Sequence, residues 1–418
     1  MHRNKALQTG IAALWLVISQ VACQTLLPTP TPVPTSTPTA SVTPTAIPPT
    51  QTPVPTEAIS FSDAEIMSGI QQTLDLYAQA LRDNDTELLE WLIDQENKPF
   101  RRIVRNRFDE FQSSYQAGQV DFQFQLMDIK QREYGFVIAH FETDGGYQAE
   151  WPFRYFEEHW VISEPTVEQI GEPVITETEH FIFTSYPWTE DFDPTIMKLM
   201  ETARENVARV LGQVPAAKAQ VEIMPIYGLH PFDSMSAIAS YAQGREPADD
   251  QIQIYTPDSF AYSFYDPELS WDKELEQTLT HEYTHMTHAR SFDGKGRMAD
   301  WVSEGLAEYV SGADENSYWA CDAMVSGTFI PILDESGEVY KQDLMHMYLL
   351  EENFGLSYDF ATSLVEFTVE NYGGLEGFWK LAEASDNTSD FKKAVQDAFG
   401  ISYEEYNSKW QAWLKKKC

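Results

Sequence analysis

Residues 275–309 read LEQTLTHEYTHMTHARSFDGKGRMADWVSEGLAEY and contain an H-E-x-x-H motif formed by His281, Glu282 and His285. Residues four apart lie on one face of an α-helix, so the two imidazoles can reach the same point. Imidazole nitrogens are common zinc ligands, and a glutamate beside the first histidine can act as a general base toward water. The motif therefore predicts a zinc-binding helix.

The segment also offers further carboxylates. Eighteen residues separate His285 from Glu304, and Glu308 follows one helical turn later. A catalytic zinc needs a third protein ligand, which Glu304 can provide, and ligand histidines usually donate their other N–H to a nearby acceptor such as Glu308. An H-E-x-x-H motif alone also occurs by chance on helices that bind no metal, but the paired glutamates favour a metal site.

These two motifs resemble the gluzincin zinc peptidases, and specifically the peptidase MA-like group of bacterial proteins. The resemblance implies that His281, His285 and Glu304 bind zinc, that Glu282 is the catalytic base and that Glu308 supports a ligand histidine. The spacing matches gluzincin aminopeptidases, yet their G-x-M-E-N signature, which binds the substrate amino terminus, is absent upstream. We therefore expect an endopeptidase.

The resemblance covers residues 178–414, within a predicted peptidase domain at 175–418. It implies a small sheet, two zinc-binding helices and a C-terminal helical bundle. The alternating segment Gln251–Tyr255 precedes the zinc helix. In gluzincins the corresponding edge strand pairs with an extended substrate, and an ordinary sheet strand is the alternative. We expect irregular structure between residues 311 and 339, and a helix over 342–352.

A tyrosine in the bundle is a further candidate catalytic residue. Tyr358 precedes a segment that resembles the helix following the glutamate ligand in this family. Its phenol could donate to the oxyanion of a tetrahedral intermediate, and a core tyrosine is the alternative reading. His288 and His346 are rival polar donors.

The composition excludes some functions. The chain has 65 acidic and 28 basic residues, for a net charge of −37. Such a chain repels phosphate, so we expect no nucleic-acid partner. Three cysteines are too few for a disulfide scaffold or a cysteine zinc cluster. Cys321 and Cys418 either form a disulfide that would secure the chain terminus or remain two free thiols.

The amino terminus resembles a bacterial lipoprotein signal over residues 1–23, in which Cys23 carries the lipid. It has a short apolar stretch after Arg3 and Lys5, and an uncleaved anchor helix is the alternative. Residues 24–58 form a predicted disordered linker, since residues 28–55 hold ten of the 23 prolines, interleaved with threonine. We expect an exported protein anchored to the outer face of the cell membrane.

Residues 59–170 are predicted to form a separate domain. Helical patterns are followed by alternating segments at 120–126, 134–141 and 147–156, with turns predicted at 144–146 and 157–158. Helices on a curved antiparallel sheet resemble the nuclear-transport-factor-2-like, or SnoaL-like, cone fold. We interpret this domain as a spacer or a protein-binding module.

The sequence thus predicts an α+β protein that hydrolyses peptide bonds with Zn²⁺ and a general base. Its partners would be a peptide or protein substrate and the membrane. The alternative is a non-catalytic cell-envelope binding protein that uses the metallopeptidase fold as a scaffold.

Overall fold

The fold is α+β, as the sequence predicts. The computed structural model describes residues 61–116, 122–143, 147–232, 236–240, 250–262, 269–291, 299–312, 318–336, 342–350, 354–386, 388 and 390–418. The signal segment, Cys23, the linker and the turn predicted at 144–146 lie outside these residues.

The N-terminal unit (residues 61–162) places three helices on an antiparallel sheet with the order β1-β2-β3-β4. Its elements are α1 (Asp63–Asp83), α2 (Thr86–Leu92), α3 (Lys98–Gln116), β1 (Phe124–Gln131), β2 (Phe136–Thr143), β3 (Gln148–Phe156) and β4 (His159–Ile162). Ser62 caps α1 through a capping box with Glu65. The predicted turn between β3 and β4 is confirmed, because Glu157 and Glu158 both have positive φ, as a two-residue hairpin loop requires. The strand predicted at 120–126 is displaced, since β1 begins at Phe124.

The C-terminal unit (residues 174–418) begins with a five-stranded mixed sheet. Its strands are β5 (Val174–Glu177), β6 (Phe181–Ser185), β7 (Ala219–Met224), β8 (Ala237–Ser240) and β9 (Gln251–Tyr255), in the order β5-β6-β7-β9-β8. The short helix α4 (Val167–Ile170) precedes the sheet, and α5 (Asp193–Leu211) connects the parallel strands β6 and β7.

The resemblance implies that Gln251–Tyr255 is an edge strand, and this expectation is wrong. Gln251–Tyr255 lies inside the sheet, parallel to β7 on one side and antiparallel to β8 on the other. Among the described strands, the two edges of the sheet are β5 and, next to Gln251–Tyr255, β8. Its sequence, AIAS, is too short for its alternation to mark it as a strand.

In the part of the chain that the structure describes, seven α-helices follow the sheet. They are α6 (Trp271–Ser291), α7 (Asp300–Ser311), α8 (Tyr318–Ser326), α9 (Phe354–Asn371), α10 (Leu375–Asp386), α11 (Phe391–Phe399) and α12 (Tyr403–Lys417). Two expectations are wrong: α8 lies in the segment predicted to be irregular, and the helix predicted at 342–352 is a kinked 3-10 helix at Leu344–Leu349. In the described part of the chain, no helix is both long and apolar enough to cross a lipid bilayer.

The two units share one continuous apolar core. The loop after β9 extends Phe260 into the N-terminal unit, where its fully buried ring lies 5.2 Å from Phe100 and 4.6 Å from Trp151 between centroids. The buried guanidinium of Arg107 lies over the same ring and donates to the carbonyl of Ala261 at 3.5 Å. The N-terminal unit is therefore packed directly on the loop that leads toward α6.

The carboxyl end of the chain is covalently fixed. Cys321 on α8 and Cys418 form a disulfide, with 5.2 Å between their Cα atoms and a sequence separation of 97. Of the two alternatives that the sequence leaves open, the structure contains the bridge.

Candidate metal centre

Helix α6 carries the H-E-x-x-H motif through the interior of the C-terminal unit, and residues 279–288 are all buried. A helix segment buried on every side has no solvent-facing surface, so each polar side chain on it needs a partner. The hydroxyls of Thr280 and Thr284 donate to carbonyls one turn earlier, at 2.8 and 2.7 Å. His281, Glu282 and His285 must find partners on other elements.

Helix α7 supplies the nearest of these partners and is held close to its neighbours by a glycine. Gly305 follows Glu304, and a Cβ added there would lie 2.8 Å from the backbone of Ala361 on α9. Glycine is therefore required where α7 and α9 approach each other. This packing places Glu304, 3% exposed, against the two histidines of α6.

Three potential ligand atoms converge at this point. The Nε2 atoms of His281 and His285 are 2.9 Å apart, and Oε2 of Glu304 lies 3.4 Å from the first and 3.3 Å from the second. The group fits within 4.8 Å. Oε2 of Glu304 is buried and has no hydrogen bond from a described residue, which is costly unless a cation occupies the space.

The outer nitrogens of both histidines have partners. Nδ1 of His281 lies 2.9 Å from Oε1 of Glu308, and Nδ1 of His285 lies 3.1 Å from Oγ of Ser303. When each Nδ1 carries the proton, each Nε2 presents a lone pair to the other and to Glu304. Three acceptors then face one buried point, and a bound cation satisfies all three.

The electrostatics couple these residues tightly. Burial disfavours the charged form of His281, but the carboxylates of Glu308 and Glu304 hold its pKa well above the usual value. Burial likewise opposes ionisation of Glu304, but the two histidines hold its pKa well below the usual value. The carboxylates thus favour positive charge among these residues, which a bound cation would supply in place of a proton on His281.

Glu282 has a different surrounding. Its Oε2 accepts a hydrogen bond from the backbone N–H of Ala239 on β8 at 2.7 Å. The backbone N–H of Tyr255 on β9 donates to the carbonyl of Ser236, the residue before β8. In an antiparallel pair, alternate residues direct their backbone groups toward the neighbouring strand, so the N–H of Ala239, three residues after Ser236, points away from β9. Burial raises the pKa of Glu282, and the two histidines and this N–H oppose the rise. The carboxylate therefore lies between the metal-binding group and the sheet edge.

A tyrosine hydroxyl contacts the group from the 3-10 helix, where Tyr348 donates to Oε1 of Glu304. Sequence reasoning missed it because the kink at His346 removes any helical periodicity. Tyr358, the sequence candidate, is 3% exposed on α9. His346 lies on the same 3-10 helix as Tyr348, with Nδ1 2.8 Å from Oδ1 of Asp343.

The third histidine of α6 is set apart from this arrangement. His288 stacks on Trp379 with 5.7 Å between ring centroids. Burial and the neighbouring His285 lower its pKa to about 4, so it is neutral at physiological pH.

No protein-family model matches this chain, and no curated protein matches its sequence. The site is therefore defined by its own geometry. The buried group of His281, His285 and Glu304 can hold a metal ion.

Proposed function

We propose that this protein is a zinc-dependent peptidase, most simply an endopeptidase. The observation that carries the proposal is that buried acceptor atoms of His281, His285 and Glu304 converge on one point. The carboxylate of Glu282 does not belong to this group and is held separately by the backbone of β8. Two imidazoles and one carboxylate are a donor set suited to catalytic zinc, which leaves a further coordination position open. Bound there, zinc would supply Lewis-acid activation of water and of a carbonyl.

The residues of the chain would perform the proton transfers. Glu282 would accept a proton from the attacking water and deliver it to the leaving amine, since its buried carboxylate has a raised pKa. The N–H of Ala239 would orient that carboxylate at 2.7 Å. The edge strand β8 lies beside Glu282, and its outward-facing backbone groups other than the N–H of Ala239 could pair with an extended peptide without a demand on its sequence.

Two donors could stabilise the developing oxyanion. Tyr348 is in hydrogen-bond contact with Glu304, and His346 lies two residues away with Asp343 at its Nδ1. A preorganised donor at such a position lowers the barrier to tetrahedral intermediates. We favour Tyr348 for this role because its hydroxyl is in hydrogen-bond contact with Glu304.

The cellular setting rests on the sequence. We propose that Cys23 is lipidated, that the Pro/Thr-rich linker holds the folded part away from the membrane and that the substrate is an extracytoplasmic peptide or protein. The kinship with peptidase MA-like proteins and with the nuclear-transport-factor-2-like fold remains part of this proposal.

The test combines metal content with turnover. Metal analysis of the purified full chain should show one equivalent of zinc, and His285→Ala should lose it. A peptide library read by mass spectrometry should be cleaved, with cleavage abolished by a chelator.

Glu282→Gln is the matched control, since its amide cannot accept the proton while all three ligands remain. It should keep zinc and lose cleavage. Full zinc content in His285→Ala would refute the metal site. Zinc retained without any cleavage by the parent chain would support the non-catalytic scaffold instead.

A further inference from the structure

Helix α3 carries a basic face that contrasts with the rest of the chain. Lys98, Arg101, Arg102 and Arg105 fall within eight consecutive residues of a protein whose net charge is −37. They are spaced three and four residues apart, so their side chains emerge along one side of the helix. Overall charge does not account for this local concentration of cations.

The opposite face of α3 fixes the helix in place. Phe100, Ile103, Val104 and Phe108 are each at most 2% exposed and belong to the core of the N-terminal unit. The basic face is therefore presented by a rigid element, so a ligand need not order the backbone.

The basic side chains line a groove of about 450 Å³, together with Asn106 and Asp109. This volume falls within the range of small-molecule sites, roughly 300–1,000 Å³. The lining consists of charged and amide groups, which suits a polar, charged ligand better than an apolar one.

The side chains are partly ordered by neighbours. Glu90 on α2 accepts from Arg101 and, at 2.5 Å, from Nε of Arg105. Nε of Arg102 donates to the hydroxyl of Tyr227 at 2.9 Å. Lys98 is exposed at the start of α3. Glu90 and Asp109 are the carboxylates among these groups, so four cations face two anions and positive charge remains in excess.

We propose that this groove binds a small anion of the phosphate class, such as a diphosphate or a phosphate monoester. A phosphate group presents three or more oxygens in a tetrahedral arrangement, which matches donors that approach from several side chains along the helix. Guanidinium groups pair with such oxygens through charge-assisted hydrogen bonds. An extended anionic surface is a poorer fit, because the acidic remainder of the chain would be repelled by it.

The proposal does not depend on the metal centre, because none of the groove residues belongs to that group. Isothermal titration calorimetry of the full chain with inorganic pyrophosphate should show saturable binding at one site. Arg101→Gln combined with Arg105→Gln should weaken binding by at least about tenfold, because two charge-assisted hydrogen bonds are lost.

The matched control is Lys415→Gln combined with Lys416→Gln, which removes the same charge from exposed positions on α12. It should leave pyrophosphate binding unchanged. An equal loss in the control, or no saturable heat with the parent chain, would overturn the proposal.

Malonate serves as a carboxylate comparison, and binding as tight as that of pyrophosphate would refute the phosphate class. Lys98→Gln, on an exposed side chain, covers the case in which the double variant misfolds. It should weaken binding several-fold, and unchanged affinity would contradict the site.

Discussion

Replacement of Phe260 by alanine should weaken both the fold and the metal centre. The ring is fully buried between Phe100, Trp151 and the guanidinium of Arg107. Truncation of such a phenylalanine costs about 3–5 kcal/mol, from lost transfer free energy and the cavity left behind. We expect the free energy of unfolding to fall by about that amount.

The effect on the metal centre follows from a hydrogen bond between this loop and the start of α6. Two residues after Phe260, the hydroxyl of Tyr262 donates to the carbonyl of Trp271 at 3.3 Å, and Trp271 is the first residue of α6. If the ring anchors this loop, its removal loosens the end of the helix that carries both histidines. Zinc affinity should therefore fall as well.

Phe111→Ala is the matched control. Phe111 is also fully buried, but its ring packs against Phe122 at 4.6 Å and Tyr147 at 5.3 Å, inside the N-terminal unit. It should lose comparable stability in urea unfolding while keeping its zinc affinity, measured against a competing chelator. Equal affinity losses in both variants would refute the idea that Phe260 connects the N-terminal unit to the site.

Three further predictions concern single side chains. Glu308→Ala should lower zinc affinity by about 10–100-fold, as expected when a ligand histidine loses its outer partner, and equilibrium dialysis measures this. Tyr348→Phe should lower kcat while zinc content is retained; a loss of zinc with unchanged kcat would show that the hydroxyl only holds Glu304 in place. Burial raises the pKa of Glu164 to about 8, so between about pH 5 and pH 8 the folded state keeps a proton that the unfolded chain releases. Stability should therefore fall as pH rises, by up to ~1.4 kcal/mol per unit, and urea unfolding of Glu164→Gln should show a shallower slope.

The sequence was most informative where one helix face carries the chemistry. The i, i+4 spacing places His281 with His285, and Glu304 with Glu308, on one face of a helix, which is a local property of the sequence. The gap between the two pairs lets the two helices pack, so the four side chains meet in the structure. The capped start of α1 at Ser62 was predictable for the same local reason.

The sequence failed where contacts are set by distant elements. Tyr348 lies on a kinked 3-10 helix without helical periodicity, and Ala239 lies on an edge strand of four residues. Phe260 comes from a loop whose burial depends on side chains of the N-terminal unit, far away in the chain. No window of local sequence contains these relationships, so propensity and periodicity could not predict them.

The disulfide between Cys321 and Cys418 makes the C-terminal part of the molecule a closed ring. Cleavage of one peptide bond between these cysteines opens the ring but does not divide the protein. Helices α9 to α12 and the 3-10 helix with Tyr348 would stay attached after such a cut. A single protease cut in this region would thus leave one covalent molecule, and only reduction of the disulfide would separate the two pieces.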